Sequence, residues 1–143
     1  MTSTYNPQYD IKGDDFKIDL KYGKAGEALI ASFIKDIVSG DLEVKSDRWR
    51  NGRMVVETSQ KPRGYDQYKP SGINVTTAKW WVYQYHLDGA WIIVSVARLK
   101  RYLNTLDPSV IRDFALNSSN PSKGFLLSEE QVSDMMLSPK YDE

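Results

Sequence analysis

Cysteine is absent from this chain of 143 residues, and histidine occurs once, at His86. Disulfides, thiolate zinc sites and cysteine nucleophiles are therefore excluded, and a lone imidazole argues against both a histidine metal site and a serine-histidine relay. No apolar run is long enough to span a bilayer. The opening residues Met1-Thr2-Ser3-Thr4-Tyr5 lack a basic segment followed by an apolar one, so the expectation is a cytoplasmic protein with no membrane partner and no secretory signal. Excess charge is missing as well, with 19 basic residues against 19 acidic. Proteins that coat DNA nonspecifically are usually strongly basic, so that class is disfavoured, whereas a nuclease needs only a local field over its groove. No internal repeat or low-complexity tract is present. Chemistry must rest on carboxylates, lysines and hydroxyls. At 41% hydrophobic, the chain is expected to be one domain, residues 1–143, with a real core.

The most informative stretch is Gly40-Asp41-Leu42-Glu43-Val44-Lys45-Ser46-Asp47. In a strand every second side chain shares a face, so Asp41, Glu43, Lys45 and Asp47 project together while Leu42 and Val44 pack behind them. Carboxylate oxygens are the hard ligands Mg²⁺ prefers, and a lysine beside the ion can orient or deprotonate an attacking water. An edge strand with a solvated, charged outer face accounts for the same alternation.

Around this stretch, residues 1–20 read as a polar N-terminal arm, with a short strand at Phe16-Lys17-Ile18-Asp19-Leu20. From Lys24 to Val38 apolar residues recur at three and four residue intervals (Leu29, Phe33, Ile37; Ile30, Ile34, Val38), an amphipathic helix ended by Ser39-Gly40. Glu27 stands near its start. Asn51-Gly52, between the charged strand and Arg53 to Ser59, is a strong hairpin signal. A loop from Lys61 to Ser71 mixes Lys61, Arg63 and Lys69 with Tyr65 and Tyr68, a combination that grips phosphates and stacks on bases, or equally forms a solvated loop whose tyrosines pack back on the domain. Thr76-Thr77 suggests a turn of helix through Trp81, followed by a second hairpin, Val82 to Leu87 and Ala90 to Val96, about Asp88-Gly89. Helices are expected over Ala97 to Leu106, over Pro108 to Leu116, and after the capping box Ser128-Glu129-Glu130-Gln131. Residues 117–143 form a C-terminal polar loop, Asn117 to Gly124, and that last short helix.

The order of parts, a helix with Gly23-Lys24-Ala25-Gly26-Glu27, then Asp41-x-Glu43-Val44-Lys45, then a strand with Glu57 and a basic loop, resembles the PD-(D/E)XK nuclease superfamily over roughly Tyr22 to Leu103. That superfamily contains restriction endonucleases, Holliday junction resolvases and small phage nucleases. The stretches Lys61-Pro62-Arg63, Ser71-Gly72-Ile73 and Thr76-Thr77-Ala78-Lys79-Trp80-Trp81-Val82-Tyr83 are similar to phage members. The resemblance implies a restriction-endonuclease-like α/β fold, with a mixed central sheet built from the two hairpins and flanked by helices. It also implies a Mg²⁺ (or Mn²⁺) site and hydrolysis of phosphodiester bonds, most plainly in DNA, with RNA open, by a protein working as a homodimer and encoded by a phage.

Carried over position by position, Glu27 matches the helix glutamate, and Glu43-Val44-Lys45 matches Glu-x-Lys. Asp41 matches the aspartate in type, but the helix ending near Ser39 leaves almost no room for the strand that should carry it. In a second, preferred registration Asp41 and Glu57 bind the metal and Lys45 supplies the lysine from the neighbouring strand, since Ser59 stands where lysine is expected. Glu27 then binds metal through water or holds Lys45. A simple Asn51-Gly52 turn puts Glu57 on the wrong face, and a one-residue bulge restores it, so Glu43 remains a candidate ligand beside Glu57. Lys61, Arg63, Lys69, Tyr65 and Tyr68 are the candidate nucleic-acid contacts. Two other classes stay open. One is an inactive nucleic-acid-binding module with the same fold. The other is a phage structural or interaction protein whose run Trp80 to Tyr83 forms a partner surface, although core packing is the expected role of most of that run.

Overall fold

A computed structural model describes residues 13–143 and divides the chain into two compact units, Met1–Ser39 and Gly40–Glu143. The arm expected for residues 1–20 lies outside the described residues up to position 12. In the first unit, helix α1 runs over Gly13–Val38. Its end is fixed locally: the Ser39 hydroxyl donates to the Lys35 and Asp36 carbonyls at 3.1 and 2.9 Å, and Gly40 follows with φ +80°. Glycine takes that left-handed conformation without a Cβ penalty. The strand expected at Phe16 to Leu20 is helical instead. Its alternation is too short to be specific, since positions 16 and 20 are also one helical turn apart.

The second unit contains β1 (Leu42–Ser46), β2 (Met54–Gln60), β3 (Lys69–Pro70), β4 (Trp80–Gln84), β5 (Trp91–Ser95), α2 (Val96–Leu103), β6 (Arg112–Phe114), β7 (Ser122–Leu127) and α3 (Glu129–Leu137). They make two sheets. The first is mixed, in the order β1-β4-β5, with β1 parallel to β4 and β4 antiparallel to β5. The second is antiparallel throughout, in the order β3-β2-β7-β6. Inward residues of both sheets (Trp81, Tyr83 and Val94; Met54, Val56, Phe125 and Leu127) meet Leu99 and Tyr102 of α2 and Met135 of α3 in one core. Among the described residues no helix is long and apolar enough to cross a membrane.

The α/β class and the Asp88-Gly89 hairpin hold, but the hairpin about Asn51-Gly52 does not form. The turn itself is present: Gly52 has φ +74°, and the Arg53 N–H donates to Asn51 Oδ1 at 3.1 Å. It hands the chain from one sheet to the other. A turn signal is local, whereas the buried alternation Met54, Val56, Thr58 needs a partner with matching apolar residues, which β7 supplies by setting Leu127 opposite Met54 and Phe125 opposite Val56.

Three further expectations change for related reasons. Trp80 and Trp81 open β4 rather than closing a helical turn, because Thr76 Oγ1 accepts only the Ala78 N–H and the chain then extends. Pro108 starts a single 3-10 turn, Pro108–Val110, and the helix expected as far as Leu116 gives way to β6. The β-branched Ile111, which follows the turn, is already extended, with ψ 132°. The expected loop Asn117 to Gly124 contains the start of β7, an interior strand. A Cβ on Gly124 would lie 2.3 Å from the Val56 carbonyl oxygen, so the glycine that reads as loop is required by close strand approach.

Helix α3 does carry its capping box: Ser128 Oγ accepts the Gln131 N–H, and Gln131 Oε1 accepts the Ser128 N–H, at 3.1 and 2.9 Å. Leu99, fully buried where α2 meets the sheets, should lose about 2–5 kcal/mol of unfolding free energy on replacement by alanine, and Ser128→Ala about 1 kcal/mol. Urea denaturation of the two variants checks both values.

Candidate functional site

Strand β1 keeps its alternation, but the sides are exchanged: Val44, expected to pack inside, is exposed, and Glu43 and Lys45 take the half-buried side because they stand next to the inward Trp81 and Tyr83 of β4. Glu43 stands opposite Trp81 and Lys45 opposite Tyr83, and neighbours in register share a face, so the charged side of β1 continues the inward side of β4. Lys45 Nζ lies 2.8 Å from Glu43 Oε1 and 5.7 Å from the centre of the Trp81 ring. Both side chains of this ion pair are about one-third exposed (34% each). Solvent therefore screens it to about 0–1 kcal/mol, and its effect is to hold the ammonium in place rather than to stabilise the fold.

At the end of β1 a cleft of about 440 Å³ opens, lined by Lys45, Asp47 and Trp49 on one side and by Glu57, Phe114 and Ser122 on the other. Lys45 and Glu57 thus line one cleft although they belong to different sheets. Glu57 reaches it across the junction of the sheets, without the hairpin pairing that the sequence suggested. One oxygen of Glu57, Oε2, accepts the Ser71 hydroxyl at 2.9 Å. Asp47 Oδ1 accepts the Trp49 N–H at 2.8 Å, a local bond between two residues that line the cleft. Asp47 shares the charged face of β1 and could have been added to the site from that alternation alone. Ser122 and Phe114 could not, because their strands carry little sequence signal.

The other candidates are placed differently. Asp41 Oδ1 accepts the Lys79 N–H at 2.7 Å, and the Asp41 carbonyl accepts the Trp80 N–H at 3.3 Å, so this aspartate fastens the start of β1 to the start of β4 and is not among the cleft-lining residues. Glu27 lies within α1, in the first unit. In the basic loop, Lys69 Nζ sits 3.9 Å from the centre of the Tyr65 ring, while Lys61 and Lys123 sit 5.7 and 4.5 Å from Tyr68. Four of the five expected nucleic-acid residues thus form lysine-tyrosine pairs, with ring faces covered by ammonium groups. Arg63 is held through its main chain, donating to Asn120 Oδ1 at 3.0 Å. Lys123 was not legible as a member of this group, because it lies in a stretch that reads as loop. Trp81, Val82 and Tyr83 are buried and serve the core, which removes them from any partner surface.

Among the described residues no group of three or more His, Asp or Glu side chains could hold a metal ion. Mg²⁺ does not require such a cage. It commonly binds through one or two carboxylates and completes its octahedron with water and substrate phosphate, and Glu57 and Asp47 in one cleft fit that donor chemistry. Compared with family models, with curated proteins and with solved structures, the chain matches none.

Tyr83, which also lines the cleft, joins the sheets: its hydroxyl oxygen accepts the Val55 N–H at 3.2 Å. Burial, reinforced by the negative charge of Asp47, pushes its phenol up to about 12, against a smaller opposing effect of the Val55 hydrogen bond. Tyr85 and Tyr102 are raised in the same direction, chiefly by burial. A folded-state value above the ordinary 10.0 means that the native protein holds the proton longer than the unfolded chain. The associated stability is fully present below about pH 10 and is lost as pH rises through about 12. Unfolding free energy measured between pH 9 and 12 should fall, and Tyr83→Phe should make that fall shallower. At neutral pH the same variant should be less stable by about 1–3 kcal/mol, because the Val55 N–H loses its acceptor.

Proposed function

We propose that this chain is a metal-dependent nuclease of restriction-endonuclease-like fold that hydrolyses phosphodiester bonds in DNA, with its centre in the cleft between β1 and β2. The observation that carries this reading is the meeting of Lys45 with Glu57 and Asp47 in one cleft, with Glu43 on the lysine. An ammonium among carboxylates is the set that phosphoryl hydrolysis needs: acidic oxygens for a hard cation, and a cation of the protein's own for the phosphate and the attacking water. A bound Mg²⁺ or Mn²⁺ would neutralise charge on the phosphate oxygens. Glu57 and Asp47 would hold the ion, and Lys45, kept in place by Glu43, would position the attacking water. Lys61, Lys69 and Lys123, together with Arg63, attract and hold the backbone of the substrate, and contact with phosphate competes with their resting places on Tyr65 and Tyr68. Cutting both strands of a duplex or junction calls for two such centres, hence a homodimer.

Linear, flapped and four-way-junction DNAs, together with RNA, incubated with Mg²⁺, with Mn²⁺ and with EDTA, test the reading. Cleavage should require the metal and fall by about 10²-fold or more in Lys45→Ala. Lys45→Ala should keep most of the DNA affinity, whereas Lys61→Ala combined with Lys69→Ala should weaken it and flatten its salt dependence. Asp41→Ala is a poor probe, because that carboxylate also fastens β1 to β4. Cleavage that persists in EDTA would sink the mechanism. DNA binding without cleavage of any substrate would favour the inactive binding module.

A further inference from the structure

We infer that Ser71 is a positioning residue for Glu57, with the turn Pro70 to Asn74 built to present the Glu57 carboxylate to the cleft; the inference rests on the nuclease reading above. Ser71 occupies the N-cap of a single 3-10 turn, Gly72–Asn74, in extended conformation, yet its side chain makes no capping bond. Ser95, Ser128 and Ser138 stand at the N-caps of other helical turns, and each accepts a backbone N–H through its side chain. Capping is the usual reason for serine at this position. At Ser71 the hydroxyl instead donates to Glu57 Oε2 at 2.9 Å.

The backbone around this contact is fitted to the same residue. The Ser71 N–H and the Asn74 side-chain amide both donate to the Thr58 carbonyl, each at 3.0 Å, where β2 bulges between Glu57 and Ser59 against β7. A Cβ on Gly72 would lie 2.3 Å from the Glu57 carbonyl oxygen, and Gly72 has φ +54°, so only glycine lets the turn approach this closely. Two main-chain anchors and one close approach thus fix the Ser71 hydroxyl over Glu57. With one carboxylate oxygen engaged, the rotamer of Glu57 is set and its other oxygen is left for the cleft. Partners that orient a ligating carboxylate typically change metal affinity or activity by about 10–100-fold when removed.

The test is isothermal titration of the whole protein with Mn²⁺ alone, on wild type, Ser71→Ala, Ser71→Thr and Glu57→Gln, with thermal unfolding as a control for folding. The expected pattern is a Kd for Mn²⁺ about tenfold weaker in Ser71→Ala, recovery in Ser71→Thr, which restores the hydroxyl, and a larger loss in Glu57→Gln. Cleavage by the same proteins should follow with kcat reduced and KM for DNA unchanged. Equal Mn²⁺ affinity in Ser71→Ala and wild type, with Glu57→Gln impaired, overturns the role of Ser71 and spares the nuclease reading. Failure of Ser71→Thr to recover affinity while melting as wild type also overturns it. Glu57→Gln binding Mn²⁺ as tightly as wild type overturns the nuclease assignment of Glu57, and the inference with it.

Discussion

Strand β4 performs two tasks on which the rest of the second unit depends. Its inward residues Trp81 and Tyr83 fill the core between the sheets, and the Tyr83 hydroxyl takes the Val55 N–H of β2. Tyr85 repeats the tie one step along, donating to the Gly52 carbonyl at 3.3 Å. A buried N–H without an acceptor is costly, so the sheets are held in one relative position rather than merely pressed together. That position brings Lys45, paired in register with Tyr83, and Glu57, the second residue after Val55, to the walls of one cleft. The core and the candidate centre are consequences of the same cross-sheet contact.

Charged side chains can face a junction of sheets only where that junction stays open to water. At β1 it does: Glu43 and Lys45 remain about one-third exposed (34% each). One strand further in, Trp81 and Tyr83 are closed off from solvent. The gradient leaves the ion pair of Glu43 and Lys45 within reach of water while Trp81 and Tyr83 close the core behind it. The bulge in β2 falls between Glu57 and Ser59, and Met54, Val56 and Thr58 stay buried on one side of the strand.

Several elements were legible because their signals are local. The helical spacing of Leu29 to Val38, the Asp88-Gly89 turn, the capping box at Ser128 and the strand alternation of Leu42 to Ser46 all act over a few residues, and each gives the type of element the sequence indicates, although the helix begins at Gly13 rather than Lys24 and the strand exposes Val44. Signals that failed were local ones overruled at a distance. Asn51-Gly52 turns the chain without pairing its flanks, since β2 finds a better apolar partner in β7. The stretch Ser122 to Gly124 reads as loop because its glycine and polar residues answer to Val56 and Thr58, more than sixty positions earlier in the chain; the Thr58 hydroxyl donates to the Lys123 carbonyl at 3.1 Å.

By itself, then, the sequence determined the α/β character, that Glu43 and Lys45 share one face of β1, and the absence of thiol or paired-imidazole chemistry, because side-chain periodicity and composition are properties of the chain alone; which face of β1 is buried was decided by the strands around it. Only the tertiary structure decided which carboxylate of the other sheet shares a cleft with the lysine. Glu57 reaches the cleft through the packing of one sheet on the other, Asp41 is drawn instead to the Lys79 N–H, and Ser71 is brought onto Glu57 by a turn fourteen residues on. These contacts join segments far apart in the chain, and strand pairing across such distances is set by burial summed over the whole core rather than by any local pattern.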